Sequence, residues 1–270
     1  MSATARDPRA LIRVLRGGAT LDDLAPVDAL AIGAHPDDIE LGCGGTVATL
    51  VAQGRTVAFV HLTHGEAGTR GTPTQRDDEA RQAAAALGVE TVVQLDCGDG
   101  ALRKDEIEID ALIAVVRRLH PELVLGPPPI DRHPDHRRAY HLVDDAMFYA
   151  GLRKRAPGLG GDAHRPALVV SYMQHDAFDP SFIVDVTDAW PRKMAALDAY
   201  ESQIHPGDGG HGATGDDPPT KISSPSFRAS VVGRAQHFGQ MIGVDYGEPF
   251  WRRTPLAIRD PFVLVPRGLR

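Results

Sequence analysis

Apolar and polar positions alternate in blocks from Asp28 onward. Asp28–Ala34 is a short apolar run ending in a polar turn, which predicts a buried strand. Gly44–Gln53 suits a helix stopped by Gly54. Thr56–Leu62 reads as the second strand, the Ala-rich stretch Arg76–Leu87 as a helix ending at Gly88, and Thr91–Leu95 as the third strand. Asp105–Leu119 is amphipathic with acids in its first turn, Leu123–Leu125 is the fourth strand, and Pro134–Ala150 the next helix. Strands at Ala167–Met173 and Phe182–Val186 follow, then helices near Arg192–Ser202 and Ser226–Ile242. Between these helices the segment His205–Pro219, rich in Gly, Asp and Pro, reads as a surface loop.

Alternating strands and helices predict an α/β fold, Rossmann-like and doubly wound, with a mainly parallel sheet and helices on both faces. The expected division is an N-terminal extension at 1–27 with a short helix around Arg9–Leu15, one domain at 28–250, and a C-terminal tail at 251–270. If the first four strands take the order 3-2-1-4, the loops after the first and fourth lie side by side at the carboxyl edge, where ligands bind in such sheets.

Those two loops hold the chemistry. The first strand runs into His35-Pro36-Asp37-Asp38-Ile39-Glu40, and the fourth into Asp131-Arg132-His133-Pro134-Asp135-His136. Either motif alone also suits a helix-capping turn. Together, His35, Asp38 and His136 form a two-imidazole, one-carboxylate set resembling catalytic zinc sites that keep a position open for water. Such a cation brings the pKa of its water down to about 7. Asp37 is placed to take the proton, and His133, one turn from His136, to stabilise an oxyanion or protonate a leaving amine if it is charged.

Other features exclude function classes. Net charge is −7 with the signs interspersed, so no basic face marks a nucleic-acid partner. No apolar run approaches the ~20 residues of a membrane span, and the N-terminus lacks the pattern of a signal peptide. Cys43 and Cys97 are the only two cysteines, so a reducing, cytoplasmic location is expected. Gly42-Cys43-Gly44-Gly45 is not a dinucleotide fingerprint, because Val47 stands where the third glycine belongs. Its glycines suit close backbone approach instead. Of the 12 histidines, His61, His64, His120, His205, His211 and His237 lack grouped partners, although His205 and His211 could approach the site as a lid.

The stretch AHPDDIELGCGGT, with the later DRHPDH, resembles the PIG-L/LmbE-like deacetylases. The likeness runs from Asp28 to Phe250. Its C-terminal part, FIVDVTDAWPRKMAALDAYESQ and SPSFRASVVGRAQHFGQMIGVDYGEPF, is similar to the bacillithiol-pathway branch. Glu40, one residue later than in many members, marks the same branch, whereas Asp131 stands where mycothiol-type members often carry tyrosine.

The resemblance implies a zinc-dependent hydrolase, with His35, Asp38 and His136 on the metal, Asp37 as general base and His133 at the oxyanion. Zinc fits the donor set, and Fe2+ or Co2+ could take its place. Arg76 falls on a substrate-contacting arginine, and Asp131 and Asp135 on residues that orient the histidines. The substrate expected is N-acetylglucosaminyl malate, whose two carboxylates call for guanidinium partners, here Arg70, Arg76 and Arg132. Other amino sugars remain as alternatives: a secondary-metabolite precursor, a chitin fragment or an inositol glycoside of the mycothiol type. An iron(II) oxygenase facial triad and a non-catalytic sugar-binding protein are the more distant readings. Family members are often dimers or hexamers, which implies a homo-oligomer.

Overall fold

The computed structural model describes residues 7–204 and 220–265. Its strands are β1 (Ile12–Val14), β2 (Ala29–Gly33), β3 (Val57–His61), β4 (Thr91–Leu95), β5 (Leu123–Gly126), β6 (Leu168–Tyr172), β7 (Phe182–Asp185) and β8 (Gly247–Trp251). The helices are α1 (Asp38–Ala52), α2 (Pro73–Leu87), α3 (Glu106–Leu119), α4 (Pro134–Ala150), α5 (Trp190–Asp198) and α6 (Pro225–Ile242). All eight strands form one sheet in the order β1-β4-β3-β2-β5-β6-β8-β7. The run β4-β3-β2-β5-β6 is parallel, so the four strands read first from the sequence do take the order 3-2-1-4.

Every residue of β2 and β3 is buried, because helices cover both faces of the sheet. The pleat divides their side chains. Ala29, Ala31 and Phe59 join α1, α2, α5 and α6 on one face, while Leu30, Ile32, Ala58 and Val60 pack with α3 and α4 on the other. Caps set the helix ends. Thr72 accepts from the Gln75 N–H before α2, Asp105 from the Ile107 and Glu108 N–H groups before α3, and Gly88 closes α2 at φ 84°.

The sheet extends beyond the sequence reading at both edges. Residues 12–14, expected to lie in the short helix of the N-terminal extension, instead form β1 and pair antiparallel with β4, after a 3-10 turn at Pro8–Leu11. Next to the other edge, β8, unread in the sequence, inserts between β6 and β7 and pairs antiparallel with both. Pro249 inside GEPFW conceals the strand pattern. The loop 205–219, with His205 and His211, lies outside the described residues. No helix among the described residues is long and apolar enough to cross a membrane.

Helix α1 starts six residues before the expected Gly44, directly from the histidine-aspartate loop, and is broken at Cys43 (φ −144°, ψ 19°). The break frees the backbone N–H groups of Gly45 and Thr46. Both donate to the Glu248 carboxylate, at 2.9 and 2.7 Å, and the Thr46 hydroxyl adds a 2.6 Å bond. Lys193 Nζ neutralises Glu248 at 2.6 Å and donates to the Leu41 carbonyl at 3.0 Å. Gly42 is required at the break, since a Cβ there would enter the Tyr172 ring. Gly42 therefore serves close packing against β6, and Gly45 close approach to Val186 and Glu248.

Candidate active site

Four of the five parallel strands deliver a polar group at the carboxyl end. The β2 loop supplies His35, Asp37 and Asp38, and the β5 loop Asp131, His133 and His136. The connection after β4 supplies Asp99, and the one after β6 supplies Gln174 and His175. Most of these side chains, with Arg76 and Arg132, line one cavity of about 330 Å3.

Its centre is Asp38. The Oδ2 atom accepts from the His35 backbone N–H at 2.9 Å and lies 3.4 Å from His35 Nδ1. The Oδ1 atom lies 3.2 Å from His136 Nε2 and accepts from Gln174 Nε2 at 2.6 Å. Each imidazole is held from behind by a carboxylate. His35 Nε2 is 3.0 Å from Asp99 Oδ1 and 3.6 Å from Asp135 Oδ2, and His136 Nδ1 is 3.0 Å from Asp131 Oδ1. The back-side bonds fix both ring orientations and turn the remaining nitrogens toward Asp38.

The donor set fits a divalent cation. A tetrahedral ion with ligand bonds of about 2.0–2.1 Å needs donors roughly 3.3 Å apart; His35 Nδ1 stands 3.4 Å from Asp38 Oδ2 and His136 Nε2 3.2 Å from the other oxygen, Oδ1, so the carboxylate lies between the two imidazoles. The nitrogens of His35, His133 and His136 also lie within 4.8 Å of one another, so three histidines form a second possible donor group.

The protein groups balance one another's charge. Burial opposes protonation of His136, yet Asp38 and Asp131 outweigh it and push its pKa up to about 9. Burial likewise opposes the charge on His35, and the carboxylates of Asp135, Asp38 and Asp99 raise its pKa well above the usual imidazole value. Against its own burial, Asp38 is held well below the usual carboxylate range, chiefly by His136.

Asp37 stands apart from this trio. Its backbone is left-handed, φ 100° and ψ −25°, a conformation that costs a non-glycine residue about 1–3 kcal/mol and recurs at functional sites. Burial raises its pKa, the Arg76 guanidinium opposes, and the result is about 7. Arg76 Nη2 lies 3.5 Å from Asp37 Oδ2 and donates to the Pro36 carbonyl at 2.7 Å, while Nη1 donates to the Gly65 carbonyl at 3.0 Å. Gly65 has φ 66°, and a Cβ there would overlap the guanidinium.

His133 is the N-cap of α4, and its Nδ1 accepts from the Asp135 N–H at 3.2 Å. Burial and the neighbouring histidines lower its pKa, and with Nδ1 accepting, Nε2 is the nitrogen left to donate. The sequence reading has His133 act if it is charged, and its surroundings oppose that charge.

Asp131 and Asp135 lie behind the histidines. Asp131 also accepts from the backbone N–H groups of His133 and His175, each at 2.8 Å, and Asp135 from that of Gly100 at 2.6 Å. Arg70 does not line the cavity. It is 6% exposed and its Nε donates to the Ser202 carbonyl at 2.8 Å, which corrects its expected place beside substrate. Glu40 is fully buried beneath the site, where the Tyr200 hydroxyl donates to it at 3.0 Å. Asp99, Gln174 and His175 escaped the sequence reading. Their signal was position alone, since each follows the carboxyl end of a parallel strand.

The family model of the GlcNAc-PI de-N-acetylases, PIG-L, matches residues 30–147. A diacetylchitobiose deacetylase of Thermococcus kodakarensis is 34% identical over 188 residues, covering 65% of this chain and 69% of the relative. The chain belongs to the PIG-L family. Another relative is a 4-oxalmesaconate hydratase of Pseudomonas putida, 31% identical over 192 residues and covering 66% of this chain and 74% of that protein. Among solved structures, the conserved protein TT1542 from Thermus thermophilus matches with TM-score 0.76 and 34% identity, over 86% of this chain and 97% of that one. PIG-L relatives thus include both a deacetylase and a hydratase, and the site must be used to choose between them.

Proposed function

We propose that this protein is a metal-dependent N-deacetylase that hydrolyses the acetamide of an N-acetylglucosamine-containing small molecule. One observation carries the reading: Asp38 stands between two imidazoles, each braced by its own carboxylate, with a second buried carboxylate, Asp37, beside them and 3.5 Å from the Arg76 guanidinium. His35, Asp38 and His136 would hold the cation. Zinc suits the set, with iron(II) or cobalt as substitutes. When bound, the ion polarises the acetyl carbonyl and acidifies water.

The remaining steps belong to the chain's own residues. Asp37 takes a proton from the attacking water as a C–O bond forms at the acetyl carbon. His133 Nε2–H donates to the developing oxyanion. As the C–N bond breaks, the proton held by Asp37 passes to the leaving nitrogen, giving acetate and a free amine. Arg76 holds the Pro36 and Gly65 carbonyls and so fixes the loop that aims Asp37.

Within this class, N-acetylglucosaminyl malate is the substrate we favour, on the likeness of the C-terminal half to the bacillithiol branch. A diacetylchitobiose-type substrate is the main alternative, supported by the 34% identical relative. Hydration is a second reading, supported by the 31% identical hydratase. It would employ the same cation and base to add water across a double bond.

The deciding experiment measures acetate release from the malate conjugate, N,N′-diacetylchitobiose and an N-acetylglucosaminyl inositol, with protein of known metal content. Stoichiometric acetate from at least one is expected. Water addition to 4-oxalmesaconate with no acetate from any sugar would replace the reading with hydration.

A further inference from the structure

Beside the site cavity lies a second chamber of about 440 Å3, a size typical of small-molecule sites. The two share Leu41, Arg132, Gln174 and His175. The outer wall comes from α6 and the residues before it, including Lys221, Ser224, Ser230 and Arg234. The chamber is therefore the neighbour of the cation site on its α6 side.

The wall carries an unbalanced positive charge. Arg132, Lys221 and Arg234 face a single lining acid, Asp176. Arg234 donates to two neutral acceptors, the carbonyls of Gln174 and Leu41, rather than to a carboxylate. The acids that act on it from a distance, Glu248 and Asp131, are already occupied by Lys193 and by His136. Among the described residues, Arg132 and Lys221 have no hydrogen-bonding or ion-pair partner for their side chains. Ser224 and Ser230 line the same wall, their hydroxyls donating to the Lys221 and Phe227 carbonyls, and the N-terminus of the 18-residue helix α6 opens there. Elsewhere around the site, Arg70 donates to the Ser202 carbonyl, and Arg76 to the Pro36 and Gly65 carbonyls beside Asp37.

We propose that this chamber binds an anionic group, a carboxylate or a phosphate, on the portion of the substrate attached to the N-acetylglucosamine. Lys221 and Arg132 meet the anion from the open side, and Arg234 supplies charge from the wall. The assignment rests on the deacetylase reading above, and it places acid recognition on the α6 side of the site rather than on the Arg70 side.

The test compares acetate release from N-acetylglucosaminyl malate, N-acetylglucosamine 1-phosphate and N,N′-diacetylchitobiose, in the native protein and in Lys221→Glu. Lys221 is exposed, so the variant is expected to fold. The native protein should favour one anionic substrate over the neutral one by about tenfold or more in kcat/KM, through KM, with a preference that weakens as salt rises. Which anionic substrate wins separates carboxylate from phosphate. Lys221→Glu should reduce the preference by about tenfold, the scale of one charge-assisted contact. A native preference for the neutral sugar, or a ratio unchanged within twofold in the variant, overturns the chamber while leaving deacetylation intact.

Should no sugar release acetate, calorimetric titration of the same three compounds onto the metal-loaded protein still decides. Tighter anion binding that is lost in Lys221→Glu supports the chamber and overturns only the deacetylase reading. Equal binding of all three overturns the chamber.

Discussion

Arg76 Nη2 spans the strained turn at the site, donating to the Pro36 carbonyl at 2.7 Å and lying 3.5 Å from Asp37 Oδ2. One guanidinium thus fixes the backbone just before Asp37 and moderates the acidity of its side chain. Burial alone would drive the Asp37 carboxyl higher than about 7, and the cation opposes it.

Replacing Arg76 with methionine removes that opposition, so the Asp37 pKa rises. A general base works only when deprotonated. The acidic limb of the kcat/KM profile should therefore move to higher pH, with a smaller competent fraction at pH 7. A limb that stays in place or moves to lower pH contradicts the proposed coupling.

Asp37→Asn keeps the shape and tolerates the left-handed backbone better than most residues. Turnover should fall by about 10²-fold or more, as for a lost general base, while metal content stays at the native level. Elemental analysis beside the acetate assay checks both halves. Near-normal turnover would remove Asp37 from its role.

Dialysis against a chelator should abolish acetate release and lower the Tm, because a cation bound only by the folded state stabilises it. Zinc, iron(II) or cobalt added back should restore both. The two possible donor groups then separate cleanly. Asp38→Ala should lose the metal and His133→Ala should retain it, and the reverse pattern would assign the site to three histidines.

Asp131 braces His136 and also accepts from two backbone N–H groups. Asp131→Asn should weaken metal affinity by about 10–100-fold, the usual effect of removing a carboxylate behind a ligating histidine. Competition with a chelating dye measures it. Native affinity in the variant would make the bond incidental.

Glu248 and Lys193 are each 2% exposed. Glu248→Ala leaves Lys193 charged and buried, and frees the Gly45 and Thr46 N–H groups at the break in α1. Destabilisation of about 3–5 kcal/mol is expected in denaturant unfolding. The double variant Lys193→Met, Glu248→Met should recover part of the loss, since it leaves no buried unpaired charge. A loss under about 1 kcal/mol in the single variant would show that water compensates the break.

Much of this site was legible before any coordinates. The histidine-aspartate motifs follow strands whose apolar pattern is plain, and the parallel order 3-2-1-4 brings their loops together. Arg70 misled because loop position says nothing of side-chain direction, and this guanidinium turns to the Ser202 carbonyl. Asp99, Gln174 and His175 belong to no motif. They matter only because the connections after β4 and β6 return to the same edge of the sheet.

Local patterning therefore determined the parallel core, its helices and the two loops that supply His35, Asp37, Asp38, His133 and His136. These features follow from the period of burial along the chain and from motif chemistry, which are both written locally. Tertiary structure alone decided the antiparallel pairing at the sheet edges, the surroundings that oppose charge on His133, the Asp99 carboxylate behind His35 and the cationic wall of α6. Each of those depends on which distant atoms share a few ångströms of low-dielectric space, and hydrogen bonds and charges act over that distance, not along the sequence.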